Sequence, residues 1–256
     1  MKSDFEFVVN QFSRELDKIN IYPIGDLHVG SPYMDEKVFG NWIQMVKNDP
    51  IGYFVIVGDM MDNALKRSKS NAYEATMSPR LQKDYLVEML KPISHKCLGA
   101  VNGNHCERSV VEADDCPLYD VMCRLGIEDL YRHNALYGKV SLGTKNKTRQ
   151  VSYTYALSHG SSRTRAQKYS LSLDGCDLFL SGHTHTPEST FPAKICLDAH
   201  NNKVYVKPSL NLVVPSFQMY GGYAVRALYT PNDSSHCPVI TLSGQKKEFS
   251  LSWIAL

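Results

Sequence analysis

The chain has 256 residues, a formal net charge of +2 and a hydrophobic content of 43%. This length suits a single globular domain that spans residues 1–256 and can bury a full core. The nearly balanced charge does not suggest a broad basic face for tight, nonspecific duplex binding, although it leaves a local basic rim open. No apolar run approaches the ~20 residues of a membrane span.

The first half of the chain alternates patterns typical of helices and strands. Apolar side chains at helical spacing predict an amphipathic helix over residues 4–18. Ser78 followed by Pro79 marks another helix start, with a capping hydroxyl and proline at the first helical position. Further helices are predicted over 34–47, 79–90 and 117–125, and strands over 20–24, 53–57 and 98–101.

The second half consists mainly of strand patterns. Residues 137–142 and 151–157 predict a hairpin joined by a polar loop. Single strands are predicted over 178–180, 204–207, 223–229, 239–242 and 249–253. Early alternation followed by strands predicts an α/β (α+β) fold with two packed, mainly mixed β-sheets flanked by helices.

Five polar blocks follow these strands and contain carboxylates, imidazoles and one amide. They are Gly25-Asp26-Leu27-His28, Gly58-Asp59-Met60-Met61-Asp62, Gly103-Asn104-His105, Ser158-His159-Gly160 and Gly182-His183-Thr184-His185. Oxygen and nitrogen donors without a thiolate suit Mn²⁺, Fe or Zn²⁺. Two ions about 3.5–4 Å apart need a shared ligand. Asp59, the first carboxylate of the second block, is the candidate bridge.

Each block has a simpler interpretation when it is taken alone. An Asp after a Gly at a strand end is often a turn residue or a helix cap. A single buried His is usually a core residue with satisfied hydrogen bonds. All five blocks in order would require five independent coincidences, so the set favours a metal site.

The five blocks, in this order, resemble the calcineurin-like metallophosphoesterase family over roughly residues 20–190. The resemblance implies one metallophosphoesterase domain with a βαβα sandwich. It also implies two divalent ions, with Mn²⁺ favoured and Fe, Zn²⁺, Ni²⁺ or Co²⁺ as alternatives. The implied ligands are Asp26, His28 and His185 for one ion, Asn104, His159 and His183 for the other, and Asp59 as the bridge.

The resemblance further implies hydrolysis of a phosphate ester by a metal-bridging hydroxide. His105 would assist the leaving group, and Asp62 would orient His105. The run Gly103-Asn104-His105-x-x-Arg108 is similar to members from bacterial viruses and prophages, which favours a phosphodiester in nucleic acid or a nucleotide. The alternatives are a phosphomonoesterase and a non-catalytic scaffold, and the complete ligand set argues against the scaffold.

Two positions depart from the family pattern. Cys106 stands where the family usually has Asp or Glu after the histidine, and Glu107 is expected to compensate. Asn63 stands where the protein Ser/Thr phosphatase branch has Arg, which counts against that branch.

Three arginines are candidate substrate-binding residues. Arg163 and Arg165 follow His159 near a helix start, where they could hold phosphate oxygens or form only a solvated helix end. Arg108 lies three residues after His105. The loop over residues 63–77, with Lys66, Arg67, Lys69 and Tyr73, suits a nucleotide or a single strand, although a polar surface loop is the simpler interpretation.

The cysteine pattern indicates the redox environment, and hence the cellular compartment, of the protein. The seven cysteines are scattered, odd in number and without a C-x-x-C pair. This predicts reduced thiols and a cytoplasmic location, in the host cytoplasm if the gene is viral. A homo-oligomer is left open, and no membrane partner is expected.

Overall fold

The computed structural model describes residues 2–66, 68, 71–145, 149–231 and 235–256. Arg67, Lys69 and the hairpin tip at 146–148 lie outside the described residues. In the described part, no helix is both long and apolar enough to cross a membrane.

Strands dominate the chain. In chain order they are β1 (Val8–Gln11), β2 (Lys18–Ile24), β3 (Gly52–Ile56), β4 (Cys97–Val101), β5 (Tyr131–Arg132), β6 (Ala135–Lys145), β7 (Arg149–Ser158), β8 (Leu178–Ser181), β9 (Glu188–Thr190), β10 (Ala193–Asp198), β11 (Lys203–Pro208), β12 (Leu210–Val213), β13 (His236–Ser243) and β14 (Phe249–Ala255). The helices are α1 (Glu36–Asn48), α2 (Pro79–Leu90), α3 (Asn104–Ala113), α4 (Pro117–Arg124), α5 (Arg163–Ser172) and α6 (Tyr223–Arg226). Two short 3₁₀ segments cover Lys91–Lys96 and Glu128–Leu130.

The strands form two six-stranded mixed sheets and one two-stranded ribbon. The first sheet has the order β14-β13-β2-β3-β4-β5, with β2 to β5 parallel. The second has the order β1-β6-β7-β8-β12-β9, with β7, β8 and β12 parallel. Strands β10 and β11 pair only with each other among the described residues. The predicted fold of two mixed sheets flanked by helices is confirmed.

Three apolar clusters define the layers. Ile21 and Val55 of the first sheet pack with Tyr153 and Leu180 of the second, so one core lies between the sheets. A second core packs α1, α2 and α4 on the outer face of the first sheet, with Trp42 completely buried. A small cluster of Ala156, Ala166 and Phe179 fixes α5 on the second sheet.

Several local predictions are confirmed. Helix α2 begins at Pro79 and ends at Leu90, and the Ser78 hydroxyl accepts the Leu81 N–H as the cap. The predicted hairpin is the antiparallel pair β6–β7. In both cases the local signal was strong, either a cap with proline or two long alternating runs.

The helix predicted over residues 4–18 is wrong. Residues Val8–Gln11 form β1, which pairs in parallel with β6. Val8 is 4% exposed whereas Val9 is 55% exposed, which is the alternation of a strand. An open sheet edge therefore overrides the helical spacing of the apolar residues.

Two further differences concern short helices. The strand predicted over 223–229 is wrong, because Tyr223–Arg226 is the short helix α6. Backbone hydrogen bonds from Ala224 to Gly221 and from Arg226 to Gly222 close this turn. Helix α3 was not predicted, because its polar first turn carries the Asn104-His105 motif rather than an apolar pattern.

Candidate metal centre

The five polar blocks meet at one edge of the molecule. Asp26, Asp59 and Asn104 follow the parallel strands β2, β3 and β4 of the first sheet. His159 and His183 follow β7 and β8 of the second sheet, which are also parallel. Because parallel strands end at the same edge, each sheet collects its own blocks, and the sheet packing brings the two sets together.

One group of ligand atoms surrounds Asp26. Its Oδ1 lies 3.2 Å from His185 Nε2 and 3.8 Å from His28 Nε2. The two imidazole nitrogens are 3.1 Å apart. Asp26 is completely buried, and its Oδ1 accepts no hydrogen bond from the described residues.

A second group surrounds Asn104. Its Oδ1 lies 2.7 Å from His183 Nδ1 and 3.1 Å from His159 Nε2. Asp59 Oδ2 is 3.0 Å from His159 Nε2. The donor atoms of Asp59, His159 and His183 lie within 4.8 Å of one another, as do those of Asp26, His28 and His185.

Asp59 also belongs to a third set, with His28 and His105, whose donor atoms lie within 4.8 Å of one another. This carboxylate therefore lies between the two halves of the cluster. A buried carboxylate oxygen without a hydrogen bond, beside imidazole nitrogens only about 3 Å apart, is expensive unless a cation satisfies these atoms. The donor set fits divalent ions that accept oxygen and nitrogen ligands.

The backbone at the cluster is strained. Asp26, His28, Asp59, His183 and His185 have φ values of 49°, 52°, 47°, 73° and 56°. Non-glycine residues rarely adopt this left-handed region, which costs on the order of 1–3 kcal/mol per residue and persists only where the surrounding structure enforces it. Strain concentrated on the predicted ligands indicates that the backbone is shaped to aim these side chains.

Three motif glycines permit the close approach of the ligand-bearing segments. A Cβ at Gly103 would lie 2.1 Å from Asp59 Oδ1, and a Cβ at Gly182 would lie 2.5 Å from Asp26 Oδ2. A Cβ at Gly58 would lie 2.7 Å from His159 Nδ1, and its φ is 95°. The glycines that precede Asp59, Asn104 and His183 are therefore a packing requirement of the site.

Charges within the cluster are strongly coupled. Burial acts to raise the pKa of Asp59, but His159 and His105 outweigh it and hold the pKa well below its ordinary value. Burial acts to lower the pKa of His159, but Asp59 and Asp26 outweigh it and raise the pKa to about 9. Burial, His105 and His185 lower the pKa of His28. Asp59 and His159 therefore stabilise each other's charged forms across a contact of 3.0 Å.

His105 lies beside this cluster, and its ring is held in a fixed orientation. Its Nδ1 is 2.7 Å from the Asp62 carbonyl oxygen and 3.3 Å from the Asp62 carboxylate Oδ1. Its backbone N–H donates to Asp59 Oδ1 at 2.8 Å, and its Nε2 is 3.8 Å from Asp59 Oδ2. Asp62 therefore contacts the ring through its backbone as well as its side chain.

The predicted substrate-binding arginines occupy different surroundings. Arg108 lies at the cluster, where its Nη1 donates to the Asp62 carbonyl oxygen at 3.2 Å. Arg163 is exposed and pairs with Glu188, with 2.9 Å between Nε and Oε2. Arg165 is exposed and contacts Ser161. In the loop over residues 63–77, Lys66 and Tyr73 are exposed.

Two amide side chains behind His105 received no role from the sequence. Asn63 is buried in the left-handed region, and its Nδ2 donates to the His105 carbonyl oxygen at 2.8 Å. Its backbone N–H donates to Oε1 of the fully buried Gln82 at 2.9 Å. A Gln inside an ordinary helix pattern gives no sequence signal, so only the fold shows that Gln82 supports the site.

Cys106 and Glu107, where the sequence departs from the family pattern, have different surroundings in the structure. Cys106 is completely buried in the core under the helices. The Glu107 carboxylate lies 2.8 Å from His133 Nε2 and accepts a hydrogen bond from Asn102 at 3.2 Å. Glu107 therefore secures the turn that leads into Asn104 and His105. Whether it compensates for Cys106 stays a prediction.

Comparisons with known proteins add a likeness to solved structures only. No family model and no curated protein matches the chain. It is similar to vacuolar protein sorting 29 from Cryptosporidium parvum (16% identity, TM-score 0.44, covering 94% of this chain and 100% of that one). It is also similar to the calcineurin-like phosphoesterase YfkN from Bacillus subtilis (12%, 0.45, 93% and 91%) and to Pseudomonas putida nuclease MPE (14%, 0.38, 91% and 87%). Because these sequence identities and TM-scores are low, the functional assignment rests on the side chains of the site.

Proposed function

We propose that the protein is a metal-dependent phosphoesterase with a dinuclear centre. The observation that carries the proposal is the position of Asp59, whose carboxylate belongs to donor sets in both halves of a buried carboxylate–imidazole cluster. A shared carboxylate between two such sets is what a pair of divalent ions requires. The strained backbone and the crowded glycines at the same residues support a built site.

The proposed metal-ligand roles follow the two groups of donor atoms, one around Asp26 and one around Asn104. One ion would be held by Asp26, His28 and His185, and the other by Asn104, His159 and His183, with Asp59 shared. His105 is the candidate proton donor, and Asp62 and Asn63 position it. Arg108 is the candidate contact for a phosphate oxygen.

The residues divide the chemistry between them. Bound divalent ions would supply positive charge to the phosphate and lower the pKa of a water molecule. With the Nδ1–H held by the Asp62 carbonyl oxygen, a protonated His105 would present its Nε2–H to the departing oxygen. The Arg108 guanidinium, half-buried beside Asp62, would add a fixed positive charge.

For the substrate, we propose a phosphodiester in a nucleic acid or a nucleotide. The support is the Gly103-Asn104-His105-x-x-Arg108 run together with the contact of Arg108 at the cluster. Mn²⁺ is the proposed metal because the donors include carboxylate and amide oxygens as well as imidazoles. The cytoplasm is the proposed location, in keeping with seven free thiols.

The test begins with metal content and two chromogenic esters. Protein loaded with Mn²⁺ should contain two ions per chain by elemental analysis and hydrolyse bis-p-nitrophenyl phosphate faster than p-nitrophenyl phosphate. Single-stranded and duplex DNA should then be compared under the same conditions. Faster turnover of the monoester would replace the diester proposal with a phosphomonoesterase. Protein that binds no ion and shows no metal-dependent turnover would be a scaffold.

A further inference from the structure

The second sheet continues into a two-stranded ribbon formed by β10 and β11, residues 193–208, here called the arm. Strands β9 and β12 pair at the edge of the sheet, and the arm extends from their ends. Its register places Ile195 opposite Val206 and Leu197 opposite Val204. Because side chains alternate along a strand, the arm has two different faces.

The inner face of the arm carries mainly charged side chains, together with Cys196 and Tyr205, and its base is fixed to the body of the protein. Lys194 Nζ donates to the carbonyl oxygens of Leu171 and Leu173 at 2.9 and 2.8 Å. Lys207 Nζ lies 3.0 Å from the carboxylate of the buried Asp177. These anchors come from both strands of the arm, so they determine which face points away from the body.

The outer face carries only apolar side chains. It consists of Ala193, Ile195, Leu197, Val204, Val206 and Pro208, all of which are exposed. The four aliphatic side chains in its centre are 65–79% exposed. A strand pattern normally turns its apolar face toward a core, so this arrangement is reversed.

We propose that the outer face of the arm is an interface, and that its partner is a second copy of this chain packed face to face across a twofold axis. The face bears no charge that would need an opposite charge on a partner. An uncharged apolar face can pack against its own copy without placing like charges opposite one another, as an isologous interface requires. The proposal is independent of the proposed phosphoesterase activity.

The area of the face agrees with this partner. Four aliphatic side chains at these exposures offer on the order of 500 Å² of apolar surface per chain. Two such faces together bury about 1,000 Å², the lower bound for a specific protein interface.

A face that binds a lipid surface would be expected to have a different arrangement of charged side chains. Membrane-binding faces place lysines beside the apolar side chains, where they reach anionic headgroups. In the arm, Lys194 and Lys207 lie on the opposite face and are engaged with the body. The charge distribution therefore favours a protein partner over a membrane.

The test is sedimentation velocity of the full chain from about 1 to 200 µM. The parent protein should form a dimer of twice the 28.8 kDa chain mass. L197E should weaken dimerisation at least ~10-fold, since it buries a charge in an apolar interface. V206E, on the neighbouring strand, should have the same effect. V111E changes a side chain that is 78% exposed on α3 and is the matched control, which should dimerise like the parent.

Thermal unfolding of each variant shows that it is folded. A parent chain that stays monomeric throughout this range overturns the proposal. A dimer that persists in both folded arm variants also overturns it. If the parent is a monomer and cosediments with lipid vesicles in a manner that depends on Leu197, the face binds membranes instead.

Discussion

The metal centre and the arm distribute polarity in opposite ways. At the centre, polar side chains such as Asp26, Asp59 and His159 are almost completely buried. On the arm, aliphatic side chains such as Ile195 and Leu197 are largely exposed. Each arrangement costs free energy in the isolated chain, because buried carboxylates lose hydration and exposed aliphatic groups contact water.

The two regions also differ in how the chain maintains the unfavourable arrangement. At the centre, strained backbone and motif glycines hold the ligands together. At the arm, lysines of the inner face hold the ribbon so that its apolar face points outward. On the two proposals, ions would complete one region and a second chain would complete the other.

The largest expected effect is that of D59N. The Asp59 charge would offset the mutual repulsion of the two ions. Its loss should therefore abolish binding of both ions and metal-dependent turnover. The free energy of unfolding of the metal-free variant should stay within about 1 kcal/mol of the parent's at pH 8, since the change removes a buried carboxylate and His159 can then release its proton. Elemental analysis and chemical unfolding measure both. Two retained ions with normal turnover would show that Asp59 is not the bridge.

H105N should separate proton donation from metal binding. Both ions should be retained, while the rate on an alkoxide ester should fall on the order of 10²–10⁴-fold. On a p-nitrophenyl ester the loss should be much smaller, because nitrophenolate leaves without a proton. D62N should show the same pattern more weakly, since the Asp62 carbonyl oxygen still holds the ring.

Two results for H105N that differ from the expected one would also be informative. Equal losses on both esters would mean that His105 acts on the phosphoryl oxygens. Loss of an ion would make His105 a ligand, as its grouping with His28 and Asp59 permits.

G103A tests the crowding at the centre. The added methyl group would meet the Asp59 carboxylate and backbone, so about 1–3 kcal/mol of stability should be lost and metal binding weakened. G40A is the matched control in α1, where a Cβ meets nothing within 4 Å, and should stabilise by roughly 0.5–1 kcal/mol. Equal effects of the two changes on metal affinity would contradict a steric role for Gly103.

E107A and C106A should affect different properties. Removing the Glu107 carboxylate frees the turn before Asn104 and should weaken metal binding by ~10-fold, near the low end for supporting residues. C106A removes a buried thiol from the core and should cost about 1 kcal/mol of stability with little change in metal affinity. Titration calorimetry and thermal unfolding distinguish the two. The reverse pattern would refute a supporting role for Glu107.

The smallest effect is expected on the arm. L197K should change the unfolding free energy of the monomer by less than about 0.5 kcal/mol, because the side chain packs against nothing that folding buries. The unfolding free energy is measured by denaturant unfolding at a protein concentration well below that at which the dimer forms. A loss above 2 kcal/mol would mean that the outer face is covered within the same chain.

The sequence by itself determined which polar blocks follow the strands at the centre, and much of the first sheet. The five polar blocks follow strands as predicted, because parallel strands with continuous apolar runs are recognisable locally and their carboxyl ends must share an edge. Helix α2 was predicted to the residue because the Ser78 cap and Pro79 act locally. Roles of the individual ligands, by contrast, stay predictions that the mutants above address.

Only the tertiary structure decided the features that depend on distant partners. Residues Val8–Gln11 became a strand because β6 offered an edge, and Gln82 reached Asn63 because α2 packs beside the loop after β3. The outward direction of the arm depends on Lys194 and Lys207 meeting acceptors in the segment 171–177. Local sequence patterns record the preference of each segment, whereas long-range pairing and packing contribute more free energy than those preferences and determine where each segment lies.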